Sequence, residues 1–324
     1  MIKNSMLYPL RFYPIYKQAI WGGRRFWSFL ERELPEEEWV AESWEISGHP
    51  DGISVVANGS LRGKTLESLR QEYPEELLGI HAASSRFPLL VKFLDANQQL
   101  SVQVHPNQEY VAQQGFSDQA KAEAWVVLHA EPGSRMTLGF QHPVTREEVA
   151  EALEKECLET LLFSVEPQEG ECYFLPPGTV HSLGAGILLY EVQQCSNLTL
   201  RLYDWNRVDV HGRKRTLHTE HGLAAMNPHY WNAQKVVPRQ ISLEKETLLE
   251  SEFFCLDRWR LQNQETCLEK EGRCHLLTVL SGEVFVQGLA EPLGKGETVL
   301  IPAQCSGIAL RTESPTQILD AYMP

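Results

Sequence analysis

The stretch GECYFLPPGTVHSLGAGILLYEVQQCSNLTLR, residues 170–201, decides the fold of this chain. Its first apolar run, 172–175, ends at a Pro-Pro-Gly turn, 176–178, where two fixed φ angles precede a residue that tolerates positive φ. A Gly-Ala-Gly turn then separates a short segment starting at His181 from the apolar run 187–192. These signals predict three short strands in a tight antiparallel meander, with the histidine facing its interior.

The spacing of four residues in this stretch resembles a known metal-binding pattern. Gly170, Pro176, Gly178 and His181 are separated by five, one and two residues, as in the second metal-binding motif of the cupin superfamily. The resemblance implies a double-stranded β-helix, or jelly roll, in which His181 is a metal ligand.

The composition excludes several classes of protein. The chain has 324 residues, 43% of them hydrophobic, which is enough for a large core and two domains. No apolar run approaches the ~20 residues that span a bilayer, and the N-terminus lacks the apolar centre of a signal peptide, so we expect a cytoplasmic protein with no membrane partner. The formal charge of −14 argues against a nucleic-acid partner, because phosphates are neutralised by basic surfaces. Seven cysteines without a CxxC pair indicate reduced thiols.

Helical and strand-like segments are distributed unevenly along the chain. Strand-like pieces recur at short spacing near the C-terminus, where Gly296 and Pro302 repeat the Gly, five residues, Pro pattern without a following histidine. We therefore expect a mainly β protein, with a cupin metal domain over 1–235 and a smaller, metal-free cupin-like β domain over 236–324. Apolar residues at helical spacing predict helical segments in the first domain at about 63–80, 107–120, 145–163 and 217–226.

Four side chains on predicted inward faces could together bind a metal ion. Gln103 and His105 alternate with apolar residues in the run 100–105 and so share one face of a strand. With Glu123 and His181 they offer an amide oxygen, two imidazoles and a carboxylate, which suits Zn²⁺ or a similar divalent ion and leaves room for a substrate. Taken alone, His105 also fits a hydrogen-bonded core histidine.

Cationic residues surround this set in the sequence. A guanidinium such as Arg201 or Arg207 near a divalent ion suits an anionic substrate or a developing enediolate. A lysine such as Lys92 or Lys121, flanked by metal and arginine, could have a lowered pKa and move protons. A surface salt bridge is the alternative role for Arg201.

Two earlier residues are further candidates for ligand contact. Trp21 lies in a Trp-Gly-Gly segment and His49 in a Gly-His-Pro-Asp-Gly turn. The alternatives are a core tryptophan and an ordinary turn histidine.

Five ordered motifs together resemble the type I mannose-6-phosphate isomerases, in particular their short bacterial form. The resemblance covers roughly residues 8–226 in unbroken order, whereas the C-terminal part matches only in length and β character. The motifs are FPLLVKFLDA (87–96), SVQVHP (101–106), KAEAW (121–125), PPGTVH (176–181) and RLYDW (201–205).

The resemblance implies a zinc-dependent aldose–ketose isomerase that interconverts mannose 6-phosphate and fructose 6-phosphate through a cis-enediol, with one zinc per chain. We expect a monomer or small homo-oligomer that binds a small phosphosugar. Lys121 is our candidate proton carrier, with a zinc-bound water or His49 as alternatives. The implied zinc ligands are Gln103, His105, Glu123 and His181; Arg201 matches the active-site arginine; and Ser101, Lys92 and Lys121 match residues around the phosphosugar.

Two positions depart from the pattern of many relatives. Asn197 replaces an aspartate four residues before Arg201, and Ala120 replaces the histidine that longer relatives carry before Lys121. Because asparagine cannot exchange a proton as a carboxylate does, Asn197 is expected only to contact the substrate. A sugar-phosphate-binding cupin without catalysis is therefore an alternative, and an iron-dependent cupin oxygenase is a third.

Overall fold

The computed structural model describes residues 7–34, 39–208, 212–230, 235–268, 272–305 and 307–324, and it is mainly β, as predicted. None of the helices within these ranges is both long and apolar enough to cross a membrane. The helices are α1 (Arg25–Ser28), α2 (Leu66–Glu72), α3 (Pro74–Leu78), α4 (Gln108–Gln114), α5 (Arg146–Glu154) and α6 (Thr219–Ala225). The strands of the first two-thirds are β1 (Leu10–Arg11), β2 (Ile15–Lys17), β3 (Glu42–Ile46), β4 (Gly48–His49), β5 (Gly52–Ile53), β6 (Leu89–Ala96), β7 (Val102–Val104), β8 (Glu123–Ala130), β9 (Met136–Phe140), β10 (Leu162–Val165), β11 (Cys172–Leu175), β12 (His181–Leu183), β13 (Ile187–Gln194) and β14 (Leu200–Tyr203). Those of the last third are β15 (Arg239–Gln240), β16 (Lys245–Glu250), β17 (Cys255–Gln262), β18 (Glu265–Leu268), β19 (His275–Ser281), β20 (Phe285–Val286), β21 (Thr298–Ile301), β22 (Ile308–Arg311) and β23 (Pro315–Tyr322).

Two facing antiparallel sheets form the centre of the first two-thirds of the chain. One has five strands in the order β10-β9-β12-β7-β14, and the other has six in the order β11-β8-β13-β6-β3-β2. Trp125 and Leu189 of the six-stranded sheet pack against Leu138 and Leu183 of the five-stranded sheet in one buried cluster. This is the expected jelly-roll arrangement, in which a closed apolar interior fills the space between two sheets.

The predicted meander over residues 170–194 is wrong. β11 pairs with β8 and β13 pairs with β6 and β8, all in the six-stranded sheet, whereas β12 pairs with β7 and β9 in the five-stranded sheet. The two turns therefore carry the chain from one sheet to the other and back. Gly184 permits the second crossing, because a Cβ there would overlap the backbone carbonyl of Arg135.

Further layers cover both outer faces of this pair of sheets. On the five-stranded side, Val104 and Leu202 pack against Val149 of α5. On the six-stranded side, residues such as Phe93 pack against a seven-stranded sheet, β1-β21-β19-β23-β17-β16-β15. A three-stranded sheet, β18-β22-β20, covers the far face of that sheet. Burial on both faces explains why β6 and β13 read as nearly continuous apolar runs.

The first described strand belongs to the sheet built from the C-terminal third. In the register of β1 with β21, Leu10 lies opposite Leu300. The sheet that the sequence assigns to residues 236–324 is thus completed at one edge by the N-terminus.

Two predicted helices extend too far. The segment predicted at 107–120 ends at Gln114, because Gly115 adopts a left-handed conformation with φ 67°. The segment predicted at 145–163 ends at Glu154, Glu156 has φ 54°, and Leu162 already begins β10. The helical segments predicted near 63–80 and 217–226 are present as α2 with α3 and as α6.

Candidate metal centre and active site

A cleft opens between the five- and six-stranded sheets at the end where their polar residues face each other. It encloses about 130 Å³, which is smaller than the roughly 300–1,000 Å³ typical of sites for drug-sized ligands. Its lining residues are Trp21, Glu42, Lys92, Leu94, Leu100, Ser101, Gln103, Lys121, Trp125, Leu183, Glu191, Asn197, Thr199, Arg201 and Arg215.

Three of the predicted metal ligands meet in the interior beside this cleft. The side chains of His105, Glu123 and His181 are buried, and one ligand atom from each lies within 4.8 Å of the others. Glu123 Oε1 lies 3.2 Å from His181 Nε2, and Glu123 Oε2 lies 3.6 Å from His105 Nε2. The carboxylate thus lies between two imidazoles from the opposite sheet.

Backbone contacts fix both imidazole rings in the same way. His105 Nδ1 lies 2.8 Å from the carbonyl oxygen of Leu198, and His181 Nδ1 lies 2.9 Å from that of Thr179. Because each Nδ1 donates its hydrogen to a carbonyl, each Nε2 keeps a free lone pair that faces Glu123. The Pro-Pro-Gly turn supports this geometry, since Gly178 N donates to His105 O at 2.7 Å and joins the two histidine segments.

Gln103 lies next to these three residues. Its Cα is the register partner of His181, and its Nε2 is 3.2 Å from His181 Nε2. A half-turn of the amide places Oε1 at the same position, so Gln103 can offer an oxygen to the shared space.

The donor set fits a divalent metal ion. His105 Nε2 and Glu123 Oε1 are buried and have no hydrogen-bond partner within the described residues, which is costly unless another group satisfies them. Burial, followed by the charge of Lys121, lowers the pKa of His105 well below its usual 6.5. Burial also lowers the pKa of His181. Burial alone would raise the pKa of Glu123, but Lys121 and His181 bring it below its usual range. Neutral imidazoles beside an ionised carboxylate are the protonation states that bind metal.

Two buried lysines extend from the metal group along the six-stranded sheet. Lys121 Nζ lies 2.8 Å from Glu123 Oε2 and 3.5 Å from Glu191 Oε1. Lys92 Nζ lies 3.1 Å from both Glu191 Oε1 and Glu42 Oε2. Burial would lower the pKa of Lys92, but Glu191 and Glu42 raise it above its usual range. Lys92 is therefore positively charged at neutral pH, contrary to the lowered pKa considered for a lysine here.

Arg201 faces these lysines from the five-stranded sheet. Its Nε donates to Ser101 Oγ at 3.2 Å, and its Nη1 donates to Thr216 O at 2.9 Å. It forms no ion pair with a described carboxylate, unlike the surface salt bridge considered as an alternative. Trp21 and Asn197 line the same cleft, as does Ser101.

Besides the three buried residues of the metal group, two predicted site residues lie outside the lining of the cleft. His49 Nε2 is 3.1 Å from Asp118 Oδ2, and the same carboxylate oxygen accepts from the backbone N–H of Asn197. Arg207 contacts Asp204 and the carbonyl oxygen of Gln99, and it lines a neighbouring cleft between β14, α5 and α6.

Four polar or charged residues that line the cleft were not predicted from the sequence: Glu42, Glu191, Thr199 and Arg215. A signal existed for Glu191, because it is the single charge in the apolar strand β13 and lies opposite Lys92, the only cation in β6. No sequence pattern pointed to Arg215, because it lies in an irregular segment beyond the last recognised motif.

The chain is similar in sequence to known isomerases over most of its length. The family model of the phosphomannose isomerase type I catalytic domain matches residues 10–119. The mannose-6-phosphate isomerase ManA of Bacillus subtilis is 35% identical over 298 residues, 91% of this chain and 93% of the relative. A mannose-6-phosphate isomerase of Streptococcus mutans is 34% identical, over 89% of this chain and 92% of the relative.

The fold is also that of a solved relative. The crystal structure of the mannose 6-phosphate isomerase from Bacillus subtilis superimposes with a TM-score of 0.88 at 28% identity, over 98% of this chain and 100% of that one. Both the sequence similarity and the structural similarity extend over almost the whole length of this chain. The chain therefore belongs to the type I phosphomannose isomerase family and is an isomerase.

Proposed function

We propose that this isomerase interconverts mannose 6-phosphate and fructose 6-phosphate with one zinc ion per chain. The observation that carries the proposal is the cleft itself, where His105, Glu123 and His181 lie beside two buried lysines and an arginine without a carboxylate partner among the described residues. Relatives that share a third of the sequence are named for the same reaction. Five cysteines are free thiols, which supports a reducing, cytoplasmic setting; they are Cys157, Cys172, Cys195, Cys255 and Cys267.

The zinc would be held by Gln103, His105, Glu123 and His181. When bound, it supplies a Lewis acid that polarises the oxygens of the substrate. The unsatisfied His105 Nε2 and Glu123 Oε1 support this ligand set, because a cation between them would satisfy both atoms.

The reaction moves one proton from C2 to C1 of the open-chain sugar, and another between the two oxygens, through a cis-enediol. Lys121 is the proposed proton carrier, because its Nζ lies among the carboxylates at the metal end of the cleft. Lys92 instead supplies a fixed positive charge. Arg201, whose guanidinium is not neutralised by a described carboxylate, would stabilise the negative charge that develops on the substrate oxygens.

The test is an assay of fructose 6-phosphate formation from mannose 6-phosphate by the purified protein. We expect turnover by the wild type, a loss of at least about a hundredfold in His181→Ala, and unchanged turnover in His142→Ala, which removes an exposed histidine outside the cleft. A folded wild-type protein that binds the sugar phosphate without converting it would contradict the proposal and favour the binding-protein alternative suggested by Asn197.

A further inference from the structure

The cleft has two ends of opposite electrostatic character. At the metal end, the three carboxylates of Glu42, Glu123 and Glu191 face the two ammonium groups of Lys92 and Lys121. This end has an excess of negative charge before any metal binds, which suits a cation.

The other end has an excess of positive charge. Arg207 and Arg215 both contact one carboxylate, that of Asp204, with Arg215 Nη1 3.4 Å from Asp204 Oδ1. Arg201 adds a third guanidinium, and burial together with the nearby charge of Arg215 lowers its pKa. Three guanidinium groups near this one carboxylate, of which Arg201 and Arg215 line the cleft, favour an anion.

Arg215 is held in place by the strand that carries Arg201. Arg201 Nη1 donates to Thr216 O at 2.9 Å, the backbone N–H of Arg201 donates to His218 Nδ1 at 3.1 Å, and His218 N donates to Arg201 O at 2.7 Å. These three contacts dock the segment that follows Arg215 on β14. The Arg215 side chain is about one-third exposed and lines the catalytic cleft.

The groups beside Arg215 can also bind an anion. Ser101 Oγ accepts from Arg201 Nε, so its own hydrogen is available for donation. Ser101 precedes Gln103 by two residues on the same face, which is about 7 Å along an extended chain. Ser101 and Gln103, which belong to the anion end and the metal end respectively, are therefore separated by about the length of a small sugar.

We propose that Arg215 binds the phosphate group of the substrate and so sets the preference of the enzyme for phosphorylated sugars. The inference rests on the proposed function for the identity of the sugar, but anion binding by Arg215 is testable without turnover. Ser101 completes the phosphate site, and the carbonyl end of the sugar is directed toward Arg201, His105, Glu123 and His181.

The first experiment compares Arg215→Gln with a matched neighbour, Lys214→Gln. Lys214 is exposed and lies outside the cleft lining. Loss of a charge-assisted contact is expected to raise the KM for mannose 6-phosphate and the Kd for inorganic phosphate by about 10- to 100-fold, with kcat within a few-fold of wild type. Lys214→Gln should leave all three values unchanged. Phosphate binding by Arg215→Gln that equals that of the wild type would overturn the inference.

A second measurement uses the wild-type protein and does not depend on the folding of a variant. Phenylglyoxal modifies accessible arginines, and mass spectrometry of peptides gives the rate at each position. Inorganic phosphate should slow the modification of Arg215 but not that of the exposed Arg135, which lies outside the cleft. Equal rates at Arg215 with and without phosphate would contradict the assignment.

The two proposals fail in distinguishable ways. Absence of turnover with phosphate protection of Arg215 intact would refute the isomerase function and leave the anion site. Turnover of mannose 6-phosphate with no effect of phosphate on Arg215 would refute the anion site and leave the function.

Discussion

Glu191 shows how single residues organise this cleft. Its Oε2 accepts from Trp125 Nε1 at 2.8 Å, while its Oε1 lies between Lys92 and Lys121. The side chain is buried, so these two ion pairs are poorly screened by solvent. Glu191 thus positions both lysines and balances their charge.

We expect Glu191→Gln to lower kcat by about tenfold or more with little change in bound metal, because the amide keeps the contact with Trp125 but no longer holds the lysines. The variant should also have a changed pH profile. Glu191 helps to raise the pKa of Lys92, so its removal lowers that pKa. As the pH is raised, the variant should therefore lose activity at a lower pH than the wild type does.

The measurement is kcat against pH, with the exposed Glu169→Gln as the control. Identical profiles for Glu191→Gln and the wild type would show that Glu191 is only a packing residue.

The two metal-site histidines predict how the metal-free protein responds to acid. Burial holds the pKa values of His105 and His181 below 6.5, so the unfolded chain takes up protons before the folded one. The free energy of unfolding should therefore decrease as pH falls below about 6.5. Urea unfolding of metal-free protein at pH 7.5 and 5.5 measures this effect, and His105→Gln should reduce it. A free energy of unfolding that is the same at both pH values, or higher at pH 5.5 than at pH 7.5, would be inconsistent with neutral buried imidazoles.

The candidate metal ligands were more predictable than the cations around them. Gln103 and His105 follow from strict alternation, and His181 follows from a fixed spacing to a proline-glycine turn. Arg215 reaches the cleft only because its segment docks on β14 through Arg201, a contact that no local pattern encodes. Hydrogen bonds between an irregular segment and a strand leave no periodic signal in the sequence.

At the scale of elements, the alternation of β11, β12 and β13 between two sheets builds the site. It places His181 in the five-stranded sheet and Glu123 in the six-stranded one, so a single space receives ligands from both. The sequence predicted three strands and their turns but not their partners. Turn signals mark where a strand ends, whereas pairing depends on which distant strand offers a matching edge.

Gly184 is the point at which this alternation is most sensitive to substitution. An added Cβ would overlap the carbonyl oxygen of Arg135, so Gly184→Ala should reduce the free energy of unfolding by about 1–3 kcal/mol. Gly294→Ala is the control, because the nearest atom to its Cβ would be Glu297 Oε2 at an ordinary 3.7 Å. The comparison is made by thermal or urea unfolding. Equal losses in the two variants would mean that the crossing is not tightly packed.

In the molecule as a whole, neighbouring sheets are joined by common hydrophobic cores. The six-stranded sheet buries one face against the five-stranded sheet and the other against the sheet of the C-terminal third. The division of the chain into domains over 1–235 and 236–324 remains a proposal. In the structure, β1 from the N-terminal part of the chain completes the sheet of the C-terminal third. The general β character of the C-terminal third could be predicted from the short spacing of its strand-like segments, but this sharing of strands could not.

We expect the full chain to unfold in a single transition and a fragment of residues 236–324 not to fold alone, because the fragment lacks β1 and exposes the face that packs on the six-stranded sheet. Calorimetry of the full chain and circular dichroism of the fragment measure this. Two resolved transitions, or a folded fragment, would show that the C-terminal third is independent.

The most direct test of the central claim is a titration of metal-free protein with zinc, in which bound metal and the rate of fructose 6-phosphate formation are measured on the same samples. We expect no turnover without metal and a linear rise in the rate that ends at one zinc per chain. Full turnover by protein shown to be free of metal would contradict it, because the group formed by His105, Glu123 and His181 would then not be the metal centre of the reaction.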